Sequence, residues 1–158
     1  IALDKLAREQ RKLSLMQYSS NNYYKQKLKV AKLHEHISNQ RKDWIHKLST
    51  ELANEYDYIC VEDINMQNMA QSLKLGKSTN DNGFGMFRVI LGYKLSERGK
   101  KLIKIDKWFP SSKMCRFCGN INKELTLADR VWTCICGEVI NRDENAAINI
   151  MNVGLSMV

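Results

Sequence analysis

No apolar run in the chain approaches the roughly 18 residues needed to span a bilayer, and no signal peptide opens it, so the sequence reads as a soluble, cytoplasmic protein. Internal repeats and low-complexity tracts are absent, which excludes a solenoid and a disordered spacer. Proline occurs once, at Pro110, where it ends an extended segment. Histidine is scarce, and His34 and His36 stand two apart, on different faces of any helix, so they read as surface or packing residues rather than a metal pair. Acids are also short: 17 Asp and Glu face 25 Lys and Arg, a net charge of +8 that favours a polyanionic partner, most simply nucleic acid.

What is present is ordinary in amount and uneven in arrangement. With 158 residues, 44% hydrophobic and 27% charged, the chain can bury one real core plus a small appendage. Four of its five cysteines fall in two tight pairs, Cys115 with Cys118 and Cys134 with Cys136, and fifteen residues separate the pairs. That spacing suits a four-thiolate zinc site, and clustered cysteines with a leftover Cys60 suit a reducing compartment. A disulfide pair or four unlinked thiols are the alternatives. Gly119 and Gly137 each follow a pair, where a metal-gripping turn calls for positive φ. The second pair is CxC rather than CxxC, so its turn is tighter or differently shaped.

Taken in order, residues 1–18 read as an amphipathic helix with Leu3, Leu6, Leu13 and Met16 as its apolar positions. After a turn at 19–22, a longer helix spans about 23–55, with Leu28, Ala31, Ile37, Trp44, Leu48 and Leu52 as the expected buried stripe. Together they make an antiparallel hairpin rich in Lys25, Lys27, Lys29, Lys32, Arg41 and Lys42, either a nucleic-acid surface or a solvated helix face. Tyr58 to Val61 reads as a buried, parallel strand with Glu62 and Asp63 at its carboxyl end, and Cys60 as a small core residue. A polar loop follows to Gly85, then a helix from Phe84 to Arg98 stopped by Gly99, and a strand from Lys101 to Phe109 that packs Ile103, Ile105 and Trp108. The last helix runs from Asn141 to Leu155, with Asn141 as N-cap and Glu144 as its capping-box partner.

In open α/β sheets functional groups gather at the carboxyl ends of strands. Glu62 stands at such an end and Asp143 in the first turn of the last helix. Brought together with another acid, they could hold two Mg²⁺ ions for phosphodiester hydrolysis. The plainer alternatives are that Glu62 and Asp63 begin a loop, and that Asp143 complements a helix dipole.

Trp108-Phe-Pro-Ser-Ser-Lys113, the two cysteine pairs around Leu125-Thr-Leu-Ala-Asp-Arg-Val-Trp132, and Asn141-Arg-Asp-Glu-Asn-Ala-Ala-Ile-Asn-Ile150 resemble the C-terminal half of the TnpB (OrfB) family. These are transposon-encoded proteins related to compact type V CRISPR nucleases. Asn39-Gln-Arg-Lys-Asp43, Leu48-Ser-Thr50 and Val61-Glu-Asp-Ile-Asn65 extend the resemblance over nearly the whole chain. It implies an α/β fold: a partial RNase H-like (RuvC) core with a basic helical hairpin and an inserted zinc ribbon. It implies hairpin 1–56, core 57–110, ribbon 111–140 and a C-terminal core helix at 141–158. It further implies one structural Zn²⁺ on Cys115, Cys118, Cys134 and Cys136, and catalytic Mg²⁺ once the full site is assembled. DNA and a guide RNA are the implied partners, with association with the nucleoid.

Residue by residue, the resemblance makes Glu62 and Asp143 the second and third acids of the RuvC site, and Arg130 a cation leaning toward the scissile phosphate. Asn141 replaces the first acid of the family's Asp-Arg-Asp. The family's first catalytic aspartate, on an Asp-x-Gly strand, has no counterpart here, and Asp4 is in the wrong context. The chain therefore reads as the C-terminal part of an RNA-guided nuclease with two of three metal-binding acids, inactive alone. A non-catalytic nucleic-acid-binding remnant, or a ribbon used for protein contacts, are the other readings.

Overall fold

The computed structural model describes residues 2–64 and 83–158, and the loop expected from Met66 lies outside them as far as residue 82. Contacts divide the chain into residues 1–49 and 50–158. In the first unit, helix α1 (Ala2–Ser14) is followed by helix α2 (Asn21–Glu55), whose last turn belongs to the second unit. Ser20 starts α2, its hydroxyl accepting the Tyr23 backbone N–H.

The two helices are locked together by a buried acid rather than by an apolar stripe alone. Glu9 is 2% exposed, and its side chain accepts from the Gln26 amide at 2.9 Å, Lys29 at 3.0 Å and Lys12 at 3.3 Å. Those donors hold its carboxyl at about 2, well below its ordinary value, with the Gln26 bond contributing most. This corrects part of the expected stripe on α2, of which Leu52 does pack against the core beside Ala53. Leu28 and Trp44 are 58% and 61% exposed, whereas Gln26, Val30, Ile45, Ser49 and Ala53 are buried. Near the N-terminal end of α2 the buried position is Gln26, which meets Glu9. Lys29, expected as part of the basic surface, is committed to that same acid.

In the second unit, strand β1 (Tyr58–Glu62) pairs in parallel with strand β2 (Lys101–Ile105), bringing Ile59 opposite Leu102, Cys60 opposite Ile103 and Glu62 opposite Ile105. Helix α3 (Phe84–Ser96) provides the crossover between them. Gly99, at φ 70°, turns the chain into β2, as expected. Side chains alternate across the pair. Ile59 and Leu102 pack beneath Ala53, Leu91 and Leu95 of α2 and α3. Cys60 and Ile103 face helix α4 (Arg142–Leu155) at Gly154, where a methyl group would run into the Cys60 sulfur. Glycine at 154 is thus what allows helix and strand to approach.

The second strand is shorter than the sequence suggested. At Asp106 the chain turns: its carboxylate accepts the Trp108 backbone N–H at 2.9 Å, and the Phe109 N–H bonds the Asp106 carbonyl. Trp108, expected to pack, is consequently 79% exposed. Strands β3 (Val131–Thr133) and β4 (Val139–Asn141) form an antiparallel hairpin that leads into α4.

Candidate active site and cysteine cluster

The four paired cysteines converge. Their sulfurs all lie within 4.8 Å of one another, with Cys115 to Cys136 at 3.8 Å and Cys118 to Cys134 at 3.5 Å. A regular tetrahedron of zinc–thiolate bonds has edges of about 3.8 Å, so the donor set fits that ion in both chemistry and spacing. Gly119 and Gly137 take φ 75° and 92°, as the turns require, and all five cysteines are free thiols. The Cys136 backbone N–H holds the Cys134 thiol at about 7, below its ordinary value. At Cys118 the Asn120 N–H favours the thiolate, yet hydrogen bonding to Cys134 and burial push it up to about 12. Four thiolates at this separation would repel one another, and a cation bound among them would offset that repulsion.

Beneath the cluster lies a small core of Leu125, Trp132 and Ile140 with Cys115 and Cys134. Two buried amides tie this module to α4. Asn145 donates to the carbonyls of Met114 at 2.6 Å and Ser111 at 3.3 Å, and accepts the Arg116 N–H at 3.0 Å. Asn149, one turn later, donates to the same two carbonyls at 2.7 and 2.8 Å. Sequence reading missed this role, although polar residues at i and i+4 in an otherwise apolar stretch were its available signal.

Asn141 caps α4 as expected, its side chain accepting the N–H groups of Asp143 and Glu144. The reciprocal leg of a capping box is replaced by another contact: the Glu144 carboxylate accepts from Arg116 at 2.6 Å. Asp143 lies between two cations, Arg130 at 3.2 Å and Arg142 at 3.5 Å. Arg142 itself reaches back to the carbonyls of Thr126 and Leu127 and so fixes the loop that carries Arg130.

Glu62 closes β1 and shares the face of Cys60, the face covered by α4. Leu155 and Met151 of α4 border a groove beside Tyr58, Ile59 and Cys60. Partial burial raises the Glu62 carboxyl above its ordinary range. The backbone just beyond is clamped by Arg88 of α3, a residue that sequence reading passed over. Its guanidinium donates to the carbonyls of Glu62 at 3.4 Å and Ile64 at 3.0 Å, and lies 3.5 Å from the Asp63 carboxylate.

Comparison with known proteins finds relatives along nearly the whole chain. Residues 84–150 match the family described as "Cas12f1-like, TNB domain", and residues 2–73 match OrfB_IS605, described as "Probable transposase". A Streptomyces pristinaespiralis protein named as an RNA-guided DNA endonuclease is 41% identical over 152 residues, covering 96% of this chain and 38% of its own length. InsQ of Escherichia coli K12, named in the same way, is 34% identical over 166 residues, with 95% of this chain and 41% of InsQ covered. A cryo-EM structure of a Cas12f1–sgRNA–target DNA complex superposes with a TM-score of 0.64 and 22% identity, over 94% of this chain and 40% of that one; the likeness speaks for the fold. The chain spans about two fifths of the length of these curated relatives.

Proposed function

We propose a function from the premise that this chain belongs to the TnpB (OrfB) family of transposon-encoded proteins. The chain is the C-terminal part of an RNA-guided, Mg²⁺-dependent DNA endonuclease, contributing part of its RuvC-like core and a zinc ribbon. The observation that supports this reading is the packing of α4, the helix whose first turn bears Asp143, on the face of β1 that Glu62 shares. Mg²⁺ held there would polarise the phosphodiester and activate water.

The chain's own groups have defined tasks. Glu62 offers a partly desolvated carboxylate on a strand end that Arg88 keeps in place. Asp143 offers a second carboxylate at a capped helix N-terminus. Arg130, which now pairs with Asp143, is within reach of an anion bound beside it. Cys115, Cys118, Cys134 and Cys136 hold the structural zinc. DNA and guide RNA are the partners, met in part through exposed Lys25, Lys27, Lys32 and Lys42 on α2.

Two acids are too few to hold two ions in register with a scissile phosphate, so this chain alone does not cut DNA. Joined to the upstream segment of a relative and given guide RNA, it should cleave in Mg²⁺. Glu62→Ala or Asp143→Ala should then abolish cleavage while DNA binding persists. Cleavage by the 158-residue chain unaided, with Glu62→Ala still active, would sink the assignment.

A further inference from the structure

Trp108 stands three residues past Ile105, the β2 residue paired with Glu62. Three residues extend at most about 10 Å, and paired strands lie about 4.8 Å apart, so the Trp108 backbone sits within about 15 Å of that of Glu62. The turn that displays it is rigid, because the Asp106 carboxylate fixes the Trp108 N–H and the Asp106 carbonyl takes that of Phe109. The indole is 79% exposed, and the Lys107 ammonium stands 5.1 Å from its ring centroid. An exposed tryptophan alone means little. Here a flat aromatic surface is held in water at the working end of the sheet, with a cation on it.

That combination selects its ligand. A partner protein burying the indole would also have to desolvate or pair the ammonium. An unpaired nucleobase satisfies both at once: its π-face stacks on the indole face that Lys107 leaves open, while a phosphate of the same strand meets the ammonium. We infer that Trp108 and Lys107 form a stacking platform for an unpaired base of single-stranded nucleic acid at the carboxyl end of the β1–β2 pair. This rests on the nucleic-acid reading above and adds a specific binding site to it. Any base can stack, so the platform is indifferent to sequence and holds strand that has left the duplex.

The test uses the whole chain and two fluorescent probes of equal length, oligo-dT and a fully abasic DNA strand of the same charge. The wild type should bind oligo-dT about tenfold more tightly than the abasic strand, the size expected for one stacked base. Trp108→Ala should remove most of that preference and Trp108→Phe should keep part of it. Neither should change the dependence of abasic binding on salt. Trp44→Ala, at an equally aromatic exposed position on α2, should leave the preference intact. Oligo-U in place of oligo-dT shows whether the platform takes RNA as well as DNA. If Trp108→Ala keeps the full preference for oligo-dT, the platform is wrong while the nucleic-acid reading stands. If the wild type binds neither probe, both fail. A Trp108→Ala change confined to self-association would overturn the platform in favour of a protein contact.

Discussion

The guanidinium of Arg130 lies 3.2 Å from the carboxylate of Asp143, joining the loop before β3 to the first turn of α4. Each side chain is about two-thirds exposed, so water and salt screen the pair. It contributes little to folding and much to where a charge sits.

Arg130→Ala should therefore change unfolding free energy by no more than about 0.5 kcal/mol. In the assembled nuclease, the same substitution should lower cleavage at least tenfold with little effect on DNA affinity. Denaturant melts of the chain, beside cleavage and binding by the assembled form, separate the two effects. A large loss of stability would show that the pair is structural.

The cysteine cluster should carry one zinc per chain when purified under reducing conditions. Because binding and folding are coupled in such modules, Cys118→Ser or a strong chelator should raise hydrogen exchange across residues 113–138 and spare the α1–α2 hairpin. Elemental analysis with exchange mass spectrometry reads both. An ordered cluster holding far less than one zinc would argue against the assignment.

Asn145 is fully buried and serves three backbone groups at the base of the cysteine module. Asn145→Leu leaves the Arg116 N–H without its acceptor while Asn149 still donates to both carbonyls, which should cost about 1–3 kcal/mol. Urea unfolding should show a lower midpoint with an unchanged slope. A midpoint equal to that of the wild type would mean that Asn149 alone holds the two parts together.

Glu9 gives the hairpin its acid sensitivity. Its folded value of about 2 lies below the ordinary 4.5, so the charged form is favoured by folding. The resulting stability is fully present above pH 4.5 and is lost as the pH falls toward 2. Helical circular dichroism, melted at several pH values, should show the wild type losing more stability across that window than Glu9→Gln. Identical pH profiles would remove Glu9 from this role.

Local patterns in the sequence were enough for several features. The spacing of two cysteine pairs brought four sulfurs together, because short turns leave a close pair few ways to point. The N-cap at Asn141 and the Gly99 stop depend on neighbours within a few residues. Tyr58 to Val61 read as a parallel strand because apolar residues on both faces need cover on both faces, and α3 and α4 supply it. The family resemblance, carried by short motifs, agreed with the matches to known proteins.

Tertiary structure decided the rest. Near the start of α2 it buried Gln26 and not Leu28, since Gln26 can be buried once Glu9 accepts from it, while Leu28 can face water at modest cost. Nothing local to Asn145 and Asn149 shows that they bond the backbone carbonyls of residues 111 and 114. Arg88 gained its role when the crossover laid α3 beside the end of β1. Trp108 read as core until the Asp106 turn carried it into solvent. In each case the side chain's fate depends on a partner distant in sequence, or on a turn that redirects the backbone, and hydrophobic periodicity encodes neither.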